Sequence, residues 1–511
     1  MKICVLQPDY STSNVDYKNY DPPRNLSKLL PDDEVHHVFL NKLTTYQQLK
    51  KLSKQGFDIY INLCEGYLDW SVPSVDVIHS LELLNLPYTG PDATIYDPSK
   101  PLMKYVAYCA GVKTPNYVEM RDNNNIEATI QHLTFPLFIK PAHAGDSLGI
   151  DENSLVHNLN DIKSKINSLL KEEYDDILIE EYIAGREFTV LVAANPASDK
   201  SCKVFKPVEY VFSNNKQFKT YALKTSCLHA GANVPCDNKL LEEKLKQASE
   251  KIFTGFSGVG YARLDFRLDA NGEIYFLDIN FTCSVFYEDG YEGSADYILK
   301  FDPIGKTGFL KNIIDEGIAR HASKQKKYIL KGNSLDGYGI FAKQFIKKGE
   351  IIFKQETSAH RIVTKRFVEN TWAPYQVKEF KKYAYPISDE VYILWDNDPQ
   401  QWAPQNHSCD ANTGYDGLNL IALCNIKNED ELTLDYQDLL DDTMDAFTCN
   451  CGSKNCREQI TGTPGNSISA KEKEKRLMRS IRLVRKRSVD IAMPSVNGKR
   501  KGANKAQKIL S

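Results

Sequence analysis

The stretch TCNCGSKNC, residues 448–456, limits what this chain can fold into more than any other nine residues in it. Cys449, Cys451 and Cys456 form a C-x-C-x4-C pattern, and a closed structural zinc site is tetrahedral and takes four ligands. Either a fourth donor arrives from elsewhere in the chain, or the three thiols are simply buried in a turn. The start, MKICVLQPDY, breaks a short apolar run with Pro8 and Asp9, so it reads as a strand and not as a secretory signal. The twelve cysteines are therefore expected in a reducing compartment, cytoplasmic or nuclear, where clustered thiols indicate metal or chemistry more often than disulfides.

With 511 residues the chain exceeds one core, and roughly two to four domains are expected. No run of eighteen apolar residues exists, so no membrane span is expected. Residues 471–511 hold 14 Lys or Arg against Glu472, Glu474 and Asp490, which makes the tail +11 and the remainder −14. An acidic body does not grip nucleic acid over a broad face, so any such contact is confined to the tail. Within it, KRLMRSIRLVRKR reads as a basic helix over 471–487, and NGKRKGANKAQK is similar to a nuclear import signal. A disordered solubilising tail is the alternative.

The body divides by pattern. Residues 1–95 alternate strand (MKICVLQ, EVHHVFL, FDIYINL) and helix (VDVIHSLELLNL), as an α/β domain does. Residues 96–320 are strand-dominated, with one amphipathic helix, NKLLEEKLKQASEKIF, and a hairpin turning at Asn271-Gly272. HASKQKK, 321–327, is charged, lacks large apolar residues and is the expected linker. A second strand-rich segment spans 328–440, the cysteine motif occupies 441–462, and a basic, flexible tail is expected over 463–511.

Two constellations carry chemistry. In the first, Lys140 ends the apolar strand FPLFIK and precedes AHAGDSLG, a small-residue loop with Gly145 and Gly149. Such a loop lets backbone N–H groups approach phosphate oxygens beside the lysine charge. Asp265, Asp278 and Asn280 offer oxygen donors near the ends of two adjacent strands, a set suited to magnesium, and Arg263 shares the strand face of Asp265. Singly each reading is weak, since Gly-rich loops are mostly turns and strand-end carboxylates are mostly solvated.

Their order is what speaks. LPYTGPDA, DPSKPLMKYVAYCAGVKTPNY, FPLFIKPAHAGDSLGI, ILIEEYIAGREFTV and GYARLDFRLDANGEIYFLDIN together resemble the ATP-grasp ligases of the D-alanine–D-alanine ligase type over residues 1–320. The resemblance implies that Lys100 and Lys140 contact ATP phosphates, joined by Lys224 from a hinge loop. It implies that Glu180, Glu181 and Ile183 line the adenine pocket and that Glu187 meets the ribose. Asp265, Asp278 and Asn280 fall on the Mg2+ (or Mn2+) ligands, and Arg263 on the arginine facing the reacting carboxyl group. The chemistry implied is ATP-dependent joining of a small-molecule carboxylate to an amine through an acyl phosphate. Two stretches depart from the family: FTCSVFYEDG replaces the usual Ser/Pro/Gly-rich turn, and NLCEG offers Glu65 in place of an N-terminal acidic loop.

The second constellation is DGYGIFA (336–342), NHSCDAN (406–412) and ELTLDY (431–436), at separations of about seventy and thirty residues and followed by the cysteines. Alone, Gly337 and Gly339 mark a bend, and Tyr436 on an alternating strand suits a core. Together they resemble a SET domain with its post-SET motif, a mostly-β fold with a pseudoknot. The resemblance implies that Gly337, Tyr338, Gly339, Asn406 and His407 hold S-adenosylmethionine, that Tyr436 stands at the cofactor and at methyl transfer, and that Cys409 is the fourth Zn2+ ligand. The methyl acceptor implied is an amine or a protein lysine. The whole chain is thus expected to be multidomain: an α/β pre-ATP-grasp part, an α+β ATP-grasp domain, a SET domain and a basic tail. An alternative keeps a protein-lysine methyltransferase, of the kind that the resemblance links to histones, and makes the ATP-grasp half a ligand-binding or regulatory domain.

Overall fold

Strand β1 (Lys2–Pro8) is buried along six of its seven residues, and its alternate side chains feed two different cores. Ile3 and Val5 pack with Ile59, Ile61, Phe309 and Ile313 on one face, while Cys4 and Leu6 join Leu49, Val77 and Leu81 on the other. That is the pattern of a central parallel strand covered on both sides. β1 indeed lies between β2 (Glu34–Leu40) and β3 (Ile59–Asn62), parallel to both. The computed structural model describes residues 1–13, 21–68, 70–122, 125–143, 147–212, 217–220, 231–333, 337–354, 361–394 and 405–471. It separates into two units, Met1–Lys324 and Gln325–Ser511.

Unit 1 continues with a four-stranded antiparallel sheet in the order β4 (Tyr117–Met120), β7 (Ile177–Glu181), β5 (Leu137–Pro141), β6 (Leu155–Val156). A larger sheet has the order β11 (Asn233–Pro235), β10 (Val208–Tyr210), β8 (Arg186–Asn195), β12 (Tyr261–Leu268), β13 (Ile274–Asn280), with β9 (Ser198–Val204) also paired to β8. Ala262, Leu264 and Phe266 of β12 point into a core with Phe188, Val190, Leu245 and Phe253, so Arg263, Asp265 and Arg267 take the opposite face.

The region 96–320 holds more helix than its pattern suggested: Lys100–Cys109, Leu159–Lys171, Ser294–Phe301 and Gly305–Lys324 accompany the expected Lys239–Gly255. Leu159–Lys171 carried its own signals, with Asn158 accepting hydrogen bonds from the Asn160 and Asp161 N–H groups and with Ile162, Ile166 and Leu169 on one buried stripe. The expected linker 321–327 is partly helix, because the Gly305–Lys324 helix runs on through Ala322 and Lys324, both good helix formers. The chain parts into its two units immediately after that helix.

Unit 2 is built of short strands: β14 (Tyr328–Asn333) with β15 (Gly337–Ala342); β16 (Ile351–Phe353), β22 (Asn419–Ala422) and β21 (Thr413–Asp416); β17 (Arg361–Thr364), β19 (Val391–Leu394) and β18 (Tyr385–Pro386). A two-residue strand β20 (Asn406–His407) pairs in parallel with β23 (Thr433–Leu434), and β24 (Phe447–Thr448) pairs with β25 (Gln459–Ile460). Ile340, Ile346, Tyr385, Leu420, Leu432 and Leu434 share its main core with Cys449. Among the described residues no helix is long and apolar enough to cross a membrane. The basic helix expected over 471–487 lies, from residue 472 on, outside the described residues.

The turn from β7 into β8 tolerates no side chain at Gly185. Its φ is +140°, and a Cβ there would sit 2.0 Å from the Leu268 carbonyl oxygen. Gly185→Ala is expected to destabilise unit 1 by at least about 1–3 kcal/mol, read as a lowered denaturation midpoint with unchanged slope. An unaltered midpoint would contradict this packing.

Candidate functional site

The register of three strands assembles the first site. Between β12 and β13, Arg263 pairs with Asn280 and Asp265 with Asp278, while across the other edge Arg267 pairs with Glu187 of β8. A β-bulge then shifts the β12–β13 register between Asp265 and Phe266, and Phe266 pairs with Phe276. Leu277 is the extra residue. In a regular strand Phe276 and Asp278, two apart, would share a face; the bulge lets Phe276 face the core and Asp278 the cleft.

Lys100, Lys140, Glu180, Glu181, Ile183, Glu187, Arg263, Asp265, Asp278 and Asn280 all line one cleft, shared with Phe138, Tyr182, Phe218, Lys219 and Arg267. The helix bearing Lys100 starts at Ser99, whose hydroxyl accepts from the Leu102 N–H, with Pro101 in the first turn. Lys104, one turn on, points the same way. Its ammonium lies 2.7 Å from Glu180, and the Lys140 ammonium lies 2.5 Å from the other oxygen of that carboxylate. Burial by itself would raise the Glu180 carboxyl, but the charges of Lys104 and Lys140 hold it down at about 2. Burial also pulls Lys104 below the usual lysine range despite its partner.

Most charges lining the cleft are paired. Lys100 lies 3.2 Å from Asp278, Arg263 3.1 Å from Asp265, and Glu187 is held between Lys219 at 3.0 Å and Arg267 at 2.9 Å. Asp265 and Asp278 face each other across the ladder with Asn280 two residues beyond, an oxygen set of the kind magnesium takes. Phe138 stacks on Tyr182 at 6.1 Å and meets Phe218 edge-on at 5.0 Å, giving the far end flat apolar walls. The Glu181 carboxylate is spent on structure, accepting from the Asn116 amide and the Thr134 N–H, both at 2.9 Å. Lys224 and the middle of the glycine loop, 144–146, lie outside the described residues.

Sequence reasoning did not single out Lys104, Lys219 or Arg267. The spacing of four between Lys100 and Lys104 on one helical stretch was the available signal for Lys104. Nothing local marks Arg267, whose role depends on which strand lies beside it.

In unit 2, β20 joins the three strings. Asn406 donates from Nδ2 to the Tyr338 carbonyl at 3.1 Å and to Glu431 Oε1 at 2.9 Å. At Gly339 a Cβ would lie 2.3 Å from that Glu431 oxygen and 2.9 Å from Asn406 Nδ2, so a side chain there would displace the Asn406–Glu431 pair. Gly337 has φ +93°, the left-handed region that favours glycine. The His407 Nδ1 accepts from the Tyr436 N–H at 3.2 Å, and the Tyr436 hydroxyl donates to the Gln405 carbonyl at 2.7 Å.

Two residues on, Cys409 meets Cys449, Cys451 and Cys456, with ligand atoms all within 4.8 Å of one another. The Cys409 and Cys449 sulfurs are 3.9 Å apart. Four thiolates about 2.3 Å from one tetrahedral zinc would stand about 3.8 Å apart, so the group fits that metal. Arg457 ties the cluster to the Tyr436 segment: its N–H donates to Cys409 Sγ at 3.4 Å and its guanidinium to Asp435 at 2.5 Å.

Comparison with known proteins follows the same division. Residues 106–285 match the family model described as D-ala D-ala ligase C-terminus, and residues 337–437 that described as SET domain. The D-alanine–D-alanine ligase of Aquifex aeolicus (strain VF5) is 29% identical over 202 residues, covering 39% of this chain and 64% of that protein. The ligase of Lactococcus lactis subsp. lactis (strain IL1403) is 31% identical over 211 residues, covering 39% and 57%. The chain thus spans less than two thirds of the length of these two relatives. Among solved structures, the D-alanine–D-alanine ligase from Bacillus anthracis complexed with ATP aligns with a TM-score of 0.46 at 18% identity, over 64% of this chain and 99% of that one. The chain is therefore multidomain and carries a D-alanine–D-alanine ligase-like ATP-grasp segment, matched at 106–285, followed by a strand-rich SET domain, matched at 337–437.

Proposed function

We propose that the chain is a two-site enzyme: an ATP-dependent carboxylate–amine ligase in unit 1 and an S-adenosylmethionine-dependent N-methyltransferase in unit 2. The observation that carries the first half is the cleft, where an Asp265–Asp278–Asn280 oxygen cluster stands beside Lys100, Lys140 and Arg263. Lys100 and Lys140 would neutralise phosphate oxygens, and the aromatic walls would take the base. Asp265, Asp278 and Asn280 would hold Mg2+ or Mn2+, which would supply further charge neutralisation on the phosphates. A substrate carboxylate oxygen attacks the γ-phosphorus and ADP leaves. An amine then attacks the acyl carbon, phosphate leaves with the carbonyl electrons restored, and the amine proton passes to solvent. Arg263 steadies the oxyanion that forms at that carbon.

In unit 2 the acceptor, a small amine or a protein lysine, must arrive neutral with its lone pair behind the sulfonium methyl group. Its nitrogen bonds to that carbon, the sulfur keeps the electron pair of the broken S–C bond, and one N–H proton is lost to solvent. The Tyr436 hydroxyl, uncharged at neutral pH on a rigid ring, and the nearby Gln405 carbonyl fix the direction of approach. Gly337, Tyr338, Gly339, Asn406 and His407 would hold the cofactor. Zn2+ on the four cysteines would be structural, a staple fixing Cys409 and through it the His407–Tyr436 contact.

A narrower reading, in which unit 1 only binds a ligand, draws on the stretch after Asn280. There Ser284 donates to Glu65, which also pairs with Arg24 at 3.0 Å, and burial pushes the Glu65 carboxyl up to about 7. A buried charge network therefore occupies the two stretches in which this chain departs from the ligase pattern.

Asp265→Asn is expected to cut amino-acid-dependent ADP release by about 100-fold or more while leaving methyl transfer intact, and Tyr436→Phe to do the reverse. Loss of both activities in either variant that stays folded would contradict two independent sites. Elemental analysis should find one zinc per chain. Cys409→Ser should remove it and abolish methyl transfer while ATP binding persists; an active, zinc-free methyltransferase would refute the staple.

A further inference from the structure

Arg267 is a buried arginine on a strand otherwise shared between core and cleft, 3% exposed. Its Nη1 donates to the Tyr182 hydroxyl at 2.9 Å and to the Ile183 carbonyl at 3.2 Å. Its Nη2 donates to Glu187 Oε2 at 2.9 Å and to the Gln217 carbonyl at 2.5 Å. The guanidinium lies 5.0 Å from the Tyr182 ring centre and 5.7 Å from that of Phe212. One side chain thus joins the β7–β8 connection, the start of β8 and the backbone at 217.

The two cations on Glu187 are unlike. Burial alone would raise the Glu187 carboxyl, but Lys219 and Arg267 hold it below the usual range, so it stays an acceptor-only carboxylate. Lys219 is a single ammonium on a flexible stem, and its side chain is 15% exposed against 4% for Arg267. An ammonium of that kind can swing off one oxygen when a ligand offers a donor in its place. A planar guanidinium with four acceptors and two rings around it is held in one orientation.

A ribose presents two adjacent hydroxyls, each able to donate to a fixed carboxylate. We infer that Arg267 is a positioning residue: it fixes the Glu187 carboxylate and the β7–β8 backbone at Ile183 so that the ribose of a nucleoside triphosphate meets acceptors already in place. Lys219 yields one Glu187 oxygen as the ligand enters. This inference rests on reading the cleft as a nucleotide site.

The test is calorimetric titration of ATP and of 2′,3′-dideoxy-ATP, each with magnesium, into the full-length chain without amino acids. The wild type is expected to bind ATP about tenfold tighter than the dideoxy analogue, the worth of hydrogen bonds to a charged group. Arg267→Met should erase that preference by weakening ATP alone, and Lys219→Met should retain it. A purely structural role would weaken both nucleotides equally, and that result would overturn the inference, as would a preference left at the wild-type value. Should Arg267→Met fail to fold, Arg267→Lys decides. It restores the charge but not the four-way grip and should lose most of the preference; wild-type preference in it refutes the role. A wild type that binds neither nucleotide rejects the cleft reading itself, and one that binds both equally rejects only the ribose contact.

Discussion

The pairing of β12 with β8 on one side and β13 on the other is the interaction on which unit 1 depends. One face of β12 gives Ala262, Leu264 and Phe266 to the core, so the strand cannot slip by one residue without driving Arg263, Asp265 and Arg267 in among those apolar side chains. The same burial that stabilises the sheet therefore sets the order of charges along the cleft. The bulge at Leu277 completes this by turning Asp278 towards Asp265 while Phe276 stays with the core.

Charge balance follows from that geometry. Lys104, Lys140 and Glu180 are all buried, as are Arg267 and Glu187, and an isolated charge at any of these positions would be costly. Each is stable because the partner is delivered by a different element: a helix, β5, β7, β8 or β12. The cations proposed to meet phosphates are held in place before any ligand arrives, at the expense of ion pairs that a metal and a nucleotide must exchange. Unit 2 solves a related problem with less core. Its strands are short, and the two-residue ladder between β20 and β23 holds Asn406 and His407 beside the Gly337–Gly339 strand and Tyr436. Cys409, immediately beyond, connects that ladder to the cysteine cluster.

Much of this was legible in the sequence because it is local. A short apolar run marked β1, Asn271-Gly272 marked the hairpin of β12 and β13, and the order of motifs pointed to two kinds of domain. Ten of the residues singled out for the cleft do meet there. What was not legible is what depends on neighbours distant in sequence. The bulge is a mismatch between two strands, and neither strand shows it alone. Arg267 takes its meaning from Glu187, eighty residues away, and Lys104 from Glu180. The Leu159–Lys171 helix is a different case. Its cap and apolar stripe were present, and the strand-rich surroundings outweighed them.

The central claim is that unit 1 activates a carboxylate by phosphorylating it. It is tested most directly by incubating the protein with magnesium, ATP and an amino-acid library carrying 18O in the carboxylates, then analysing the released phosphate by mass spectrometry. Attack by the carboxylate on phosphorus leaves one substrate oxygen on the phosphate when the amide forms, so singly labelled phosphate is predicted. ATP consumption that yields only unlabelled phosphate, or no consumption with any amino acid, would contradict the account.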